Sequence, residues 1–217
     1  MALTLHFHPL ASFCWKVLIG LYENDIAFEP VIVDLGDEGS RSAFYALWPM
    51  GKMPVLHDDA RGETVAETSI ILDYLDTHYP GPVRFVPVDA ELARRARFWD
   101  RVLDNYVQGP MQRIVGDRIR PPDANKDPCG VDEARRQLAT AYDVIERELM
   151  SATWLSGGSF GLADCAAFPA LYYGNKVAPL GADRPASAAY LAQLTARPSV
   201  ARVLAEAGPY FKFFPEA

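Results

Sequence analysis

Three cysteines in 217 residues, Cys14, Cys129 and Cys165, are too few, too scattered and odd in number for a disulfide framework. None forms a CxxC pair, so reduced thiols are expected. The four histidines (His6, His8, His57, His78) include one alternating pair on a strand face. No Cys or carboxylate stands at ligand spacing to them, and no metal site is expected. No apolar run reaches the ~20 residues that cross a bilayer. The stretch MALTLHFHPLASF has neither a basic leader nor a cleavable apolar segment, so a cytoplasmic protein with no membrane partner is expected. Positive charge is also short: Lys plus Arg total 21 against 28 Asp plus Glu, a net charge of -7 that repels phosphate backbones and argues against nucleic acid.

What is present suits an ordinary globular protein, with 50% hydrophobic and 23% charged residues. The charge is unevenly spread. Met1 to Pro80 holds twelve acids and four bases, net -8, whereas Gly81 to Ala217 holds sixteen acids and seventeen bases, net +1. The junction YPGPVRFVP, with Pro80, Gly81, Pro82 and Pro87, reads as a linker. The division expected is therefore 1–80, a linker over 81–90, and 91–217.

Before the linker, strand-like runs (LTLHF, FEPVIV, MPVLHD, ETVA) alternate with helical patterns; after it the periodicity is almost wholly helical. Cys14, Val17, Leu18, Leu21 and Tyr22 form one apolar stripe, with Glu23 and Asn24 closing that helix. Ile70, Ile71, Tyr74, Leu75 and His78 form a second stripe ahead of Pro80. Beyond the linker, ELARRARFWDRVLDNYV and DEARRQLATAYDVIEREL read as long amphipathic helices, and LADCAAFPALYY as a largely buried one. There is no internal repeat.

Four segments in order, PLASFCWKVLIGLYEN, WPMGKMPVLHDD, VAETSIILDYLDTHYP and FGLADCAAFPAL, resemble the cytosolic glutathione S-transferases, bacterial and of serine or cysteine type, over nearly the whole chain. The resemblance implies an α/β thioredoxin-like N-terminal domain, an all-α helical-bundle C-terminal domain and a homodimer. The implied activity is a transferase that ionises the thiol of glutathione, its co-substrate, and conjugates it to small hydrophobic electrophiles, with detoxification as the role. A glutathione-dependent isomerase, a thiol-disulfide reductase and a non-catalytic binding protein on the same fold are the alternatives.

A thiol with pKa about 8.5 is only a few per cent ionised at neutral pH, and lowering that pKa by two units takes about 2.7 kcal/mol. A hydroxyl hydrogen bond to a charged acceptor, about 1.5–3 kcal/mol, together with a helix N-terminus, about 0.3–1 kcal/mol, supplies it. Ser12, just after the first strand and just before the first helix, is placed to offer both; position alone favours a plain N-cap, and the resemblance favours the activating hydroxyl. Serine-type relatives carry the hydroxyl one residue earlier, where this chain has Ala11, and in that strict register backbone N–H groups near Ser12 and Phe13 would do the work. Cys14 is the rival, because some branches of the family form mixed disulfides with a cysteine here. It also fits as a small core residue.

The resemblance places the γ-glutamyl end of glutathione on Glu67 and Thr68, where a strand turns into a helix; the plainer reading is an acid and a cap at a helix start. It implies a cis Met53–Pro54 bond, with the Met53 backbone pairing the cysteinyl part and Lys52 meeting the glycyl carboxylate. The electrophile pocket is expected around Phe13, Tyr106, Met111 and Tyr172. Asp100 or Asp104 is expected near the glutathione amine of the partner subunit. The basic run Arg94, Arg95, Arg97 and Arg101 is expected to face Glu67, Asp73 and Asp76 across a dimer. In FGLADCAAFP, Gly161 stands where a Ser/Thr-x-x-Asp capping box has its hydroxyl, so one of two reciprocal bonds is lost.

Overall fold

The computed structural model describes residues 3–121 and 124–215; the first two residues of MALTLHFHPLASF and the last two of the tail PYFKFFPEA lie outside the described residues. The run LTLHF is β1 (Leu3–Phe7), alternately buried and half-buried as its side chains take opposite faces. It pairs in parallel with β2 (Phe28–Ile32), Leu3 opposite Phe28. On its other side it runs antiparallel to β3 (Val55–Asp58), which carries β4 (Glu63–Ala66) with Val55 opposite Ala66. The order is β2-β1-β3-β4. A parallel pair requires a crossover, supplied by α1 (Ser12–Glu23). Helix α2 (Glu38–Leu47) starts on Asp37, which accepts the Ser40 N–H at 2.8 Å, and α3 (Thr68–His78) follows β4.

The expected stripe on α1 is too narrow. Besides Cys14, Val17, Leu18 and Leu21, the helix buries Trp15, Lys16, Ile19 and Gly20. The helical half covers the side that a lone sheet would leave to water: Trp15 stacks on Phe168 at 5.8 Å and meets Tyr173 at a tilt at 4.7 Å between ring centroids. On α3 the inward face is Ile71, Leu72, Tyr74 and Leu75, while Ile70 is turned out. Asp76, expected on a dimer surface, is instead buried and accepts the N–H groups of Phe85 at 2.9 Å and Val86 at 2.7 Å, fastening the segment before the next helix.

That helix, α4 (Ala90–Val102), is capped by Asp89 on the N–H groups of Glu91 and Leu92. It continues beyond the expected end through a π-helical turn (Leu103–Gln108) into α5 (Gly109–Arg118). Pro110 has no N–H to give and crowds the carbonyl one turn before it; widening the preceding turn lets the helix pass. Helices α6 (Pro128–Leu149), α7 (Leu162–Val177), α8 (Pro185–Thr195) and α9 (Pro198–Ala207) complete the bundle, and a 3-10 turn (Gly208–Phe213) ends it.

At the start of α7 the incomplete capping box is repaired by neighbours. Asp164 accepts the N–H groups of Gly161 at 2.9 Å and Leu155 at 2.9 Å and the Tyr190 hydroxyl, while Ser156 Oγ accepts the Ala163 N–H at 2.9 Å. A Cβ on Gly161 would lie 2.8 Å from the Phe85 carbonyl oxygen and 3.0 Å from Ser156 Oγ. Gly161→Ser, which writes the consensus box back in, should therefore destabilise by about 1–3 kcal/mol. Calorimetry should show Tm falling by roughly 3–10 °C; an unchanged Tm would refute the steric reading.

Candidate active site

The N-terminus of α1 opens into a cleft of about 460 Å³ between the sheet and the α4–α5 helix. Backbone geometry prepares it. Ala11, in extended conformation, is the N-cap of α1 and has no side chain with which to cap, so Ser12 occupies the first helical position rather than the cap. The Ala11 carbonyl takes the N–H groups of Cys14 at 2.9 Å and Trp15 at 3.3 Å. The N–H groups of Ser12 and Phe13 are first-turn donors left to point outward. The loop ahead is fixed by Trp15 Nε1 donating to the Pro9 carbonyl at 2.6 Å and by the Tyr173 hydroxyl donating to the Leu10 carbonyl at 2.9 Å. Ser12 and Phe13 thus both line the cleft.

The opposite wall comes from two turns. Gly51 has φ +62, and a Cβ there would meet the Tyr45 ring at 2.5 Å, so glycine is required just before Lys52. The Met53–Pro54 bond is cis, and Met53 stands outside the β3 ladder, which begins at Val55. Glu67 has φ 69 and ψ 118, a backbone state that costs a non-glycine residue about 1–3 kcal/mol and that clusters at ligand sites. Glu67 is itself the N-cap of α3, so Thr68 is its first residue and not a cap. Lys52, Met53, Pro54, Glu67 and Thr68 all line the same cleft as Ser12.

The helical half adds Arg101, Asp104, Asn105 and Gln112. Behind them lies the buried ammonium of Lys16, which meets Asp104 Oδ2 at 2.9 Å, Ser69 Oγ at 3.0 Å and the Asp100 carboxylate. Arg101 reaches the same Asp104 oxygen and the Ser69 hydroxyl. Burial pushes the Asp104 carboxyl above its ordinary value, with Lys16 opposing the shift. Sequence reasoning passed over Lys16, Arg101, Asn105 and Gln112 as site residues. A lysine inside the otherwise apolar CWKVLIGL was a usable signal, because an ammonium enters a core only with partners.

Several expectations are corrected. Cys14 is fully buried and its thiol is pushed up to about 12 by burial, so it is a core residue without thiolate chemistry. Asp100 and Asp104 are turned inward onto Lys16 of their own chain, and Asp104 lines the cleft of that chain. Of the basic run, Arg94 pairs with Glu91, Arg95 with Glu148, and Arg101 with Asp100 and Asp104. Tyr106 is 60% exposed on the outer face of α4 and α6, and Tyr172 lies in the aromatic cluster around Trp15. The apolar pocket, about 270 Å³, is walled by Met111, Val115, Tyr173, Phe213 and Phe214, and it meets the cleft at Ala11, Ser12 and Gln112. Phe13 faces the cleft instead.

Residues 5–83 match the family model of the glutathione S-transferase N-terminal domain, and residues 104–198 that of the C-terminal domain. The chain belongs to the glutathione S-transferase family. It is 27% identical over 193 residues to the glutathione S-transferase GstB of Escherichia coli, covering 87% of this chain and 91% of that one. To a glutathione S-transferase of Silene vulgaris it is 29% identical, covering 94% and 98%. Glutathione transferase F7 of Populus trichocarpa superposes with a TM-score of 0.82 at 25% identity, over 95% of this chain and 99% of that one. The Phanerochaete chrysosporium transferase URE2P8, solved with oxidized glutathione, superposes at 0.86 with 20% identity, over 97% and 96%. Both domains of a glutathione transferase, and that enzyme's activity, are therefore present.

In this transferase the three thiols divide by burial: Cys14 and Cys165 are enclosed, and Cys129 is exposed. Ellman's reagent should titrate a single thiol in the folded protein and all three in denaturant. A second fast thiol that disappears in Cys14→Ala would restore Cys14 as a reactive group.

Proposed function

We propose that glutathione lies along the cleft with its sulfur at the N-terminus of α1, and that Ser12 is the activating hydroxyl, supported by the N–H groups of Ser12 and Phe13. The observation that carries this reading is the meeting of a polar cleft and an apolar pocket at Ser12. A thiolate formed there stands at the mouth of a space sized for a small hydrophobic electrophile. The γ-glutamyl carboxylate takes Thr68 at the start of α3 and Arg101 near the end of α4, and the ammonium of the same unit takes Glu67. The Met53 backbone pairs with the cysteinyl unit, and Lys52 meets the glycyl carboxylate as a point charge. Residues 1–80 form the glutathione half, 81–90 the linker and 91–217 the half that receives the electrophile, in a cytoplasmic enzyme of detoxification. Reduction of disulfides through Cys14 does not fit a sealed thiol.

We also propose a homodimer. Phe98 and Tyr106, 54% and 60% exposed, project from α4 and the π-helical turn beside Val102 and Val144, an apolar patch of the kind that a second copy covers. Phe98→Glu should convert a dimer into a monomer in sedimentation velocity; a wild-type protein that is already monomeric would remove the proposal.

Ser12→Ala removes one hydrogen bond to a charged sulfur, about 1.5–3 kcal/mol. With glutathione and an aryl halide, kcat/KM should fall roughly 10- to 100-fold, with the apparent pKa of the bound thiol rising by about 1–2 units. An unaltered pH profile would assign ionisation to the backbone donors alone.

A further inference from the structure

Lys16 belongs to a helix without a free face, and its ammonium is 0% exposed. Three elements converge on it: α1 carries it, α3 brings Ser69, and α4 with the π-helical turn brings Asp100 and Asp104. Ser69 works in both directions. Its hydroxyl donates to Asp100 Oδ2 at 2.6 Å while accepting from Lys16 Nζ at 3.0 Å and from Arg101 Nη2 at 3.1 Å. Ser69 is also the residue after Thr68, so the first turn of α3 is tied to this hub. Arg101, bonded to Asp104, keeps its side chain 54% exposed on the cleft wall.

We propose that Lys16 is a positioning residue for the γ-glutamyl end of glutathione, acting through Arg101 and the Ser69–Thr68 turn. The charges argue for it. Two carboxylates, Asp100 and Asp104, stand against two cations, Lys16 and Arg101, and the cluster is neutral. Without Lys16 both carboxylates would draw on Arg101 alone. The wall would then carry one net negative charge beside the place where a carboxylate has to bind, and the α3 turn would lose a fastening. A packing role would ask for less, because a methionine has nearly the same length and carries no charge. The partner of Arg101 and Thr68 is thus an α-amino carboxylate, carried by the γ-glutamyl unit that the dipeptide cysteinylglycine lacks.

The inference rests on the cleft reading above, and the two can be separated. Steady-state kinetics with an aryl halide would compare glutathione with cysteinylglycine in wild type, Lys16→Met and the double variant Lys16→Met/Asp100→Asn. In the double variant the remaining Arg101 and Asp104 neutralise each other, so it keeps the question answerable if the single variant folds poorly. Lys16→Met should raise KM for glutathione about tenfold or more, the loss of roughly one charge-assisted contact, and the double variant, whose wall is neutral again, should recover most of that loss. The expected change in kcat is under about threefold, and kcat/KM for cysteinylglycine should stay within about twofold of wild type. Equal losses on both thiols would make Lys16 merely structural, and an unchanged KM in Lys16→Met would make it irrelevant; either overturns the proposal. A wild-type enzyme with no preference for glutathione over cysteinylglycine would overturn the cleft reading itself.

Discussion

The burial of α1 on every side is the constraint from which the rest of the molecule follows. A helix that is apolar all round has to be enclosed, and here α3, α7 and α9 pack against it while the sheet residues Leu3, Leu5 and Phe7 share its core. The enclosure is tight: a Cβ on Gly20 would fall 2.3 Å from Leu72 Cδ2 and 3.2 Å from the Phe85 ring. The first turn of the helix borders the cleft, where Ser12 and the half-buried Phe13 form part of the wall. The donors at Ser12 and Phe13 are therefore held from behind by a packed core and from the side by Trp15 on Pro9 and Tyr173 on Leu10. A site that must hold a sulfur to within a fraction of an ångström needs such support.

The linker shares in that rigidity. Asn24, at the end of α1, donates to the Val83 carbonyl and accepts the Val83 N–H, each at 2.8 Å, and Asp76 holds Phe85 and Val86. Phe85 is fully buried and its carbonyl accepts the Leu162 N–H at 2.9 Å, which sets where α7 begins. At the far end of α1, Glu23 receives Arg197 Nε at 2.9 Å together with the Ser199 hydroxyl. A proline-rich connection that looks loose in sequence is thus pinned at three residues. The cleft between the halves has walls fixed relative to each other.

Alternation and breakers made the strands and the proline-rich junction legible, because a period of two and a missing N–H are local properties. The residues at 52–54 and 67–68 were legible through their order along the chain. What lay hidden depended on tertiary contact. The phase of the helix after Val102 was lost at the π-helical turn: each helical residue turns by about 100°, so a wider turn rotates everything beyond it. Tyr106, within that turn, faces out as a result. In α7 nearly every side chain is buried, and periodicity has no means of choosing Tyr173 over Tyr172 for the pocket. Lys16 and Arg101 were hidden for a different reason. Their meaning comes from Asp104, 88 residues away from Lys16 along the chain.

One electrostatic tension remains within the N-terminal half. It carries a net -8 and yet must lower the pKa of a thiol that becomes an anion. Magnitudes decide the outcome. A unit charge 10 Å off in water acts with about 0.4 kcal/mol before salt, and the screening length of about 8 Å at physiological ionic strength reduces that further. The excess acids are largely surface groups facing solvent, whereas Asp58 and Asp76 are buried and already hydrogen-bonded, Asp58 by the hydroxyls of Tyr74 at 2.7 Å and Tyr79 at 2.6 Å. Against these weak terms stands the charge-assisted bond proposed for Ser12, which would be worth about 1.5–3 kcal/mol, with two oriented N–H groups beside it. Lys52 and Arg101 supply the only cations lining the cleft among the described residues. Local geometry therefore outweighs overall charge, and an acidic domain can hold a thiolate provided the first turn of α1 stays where the core has put it.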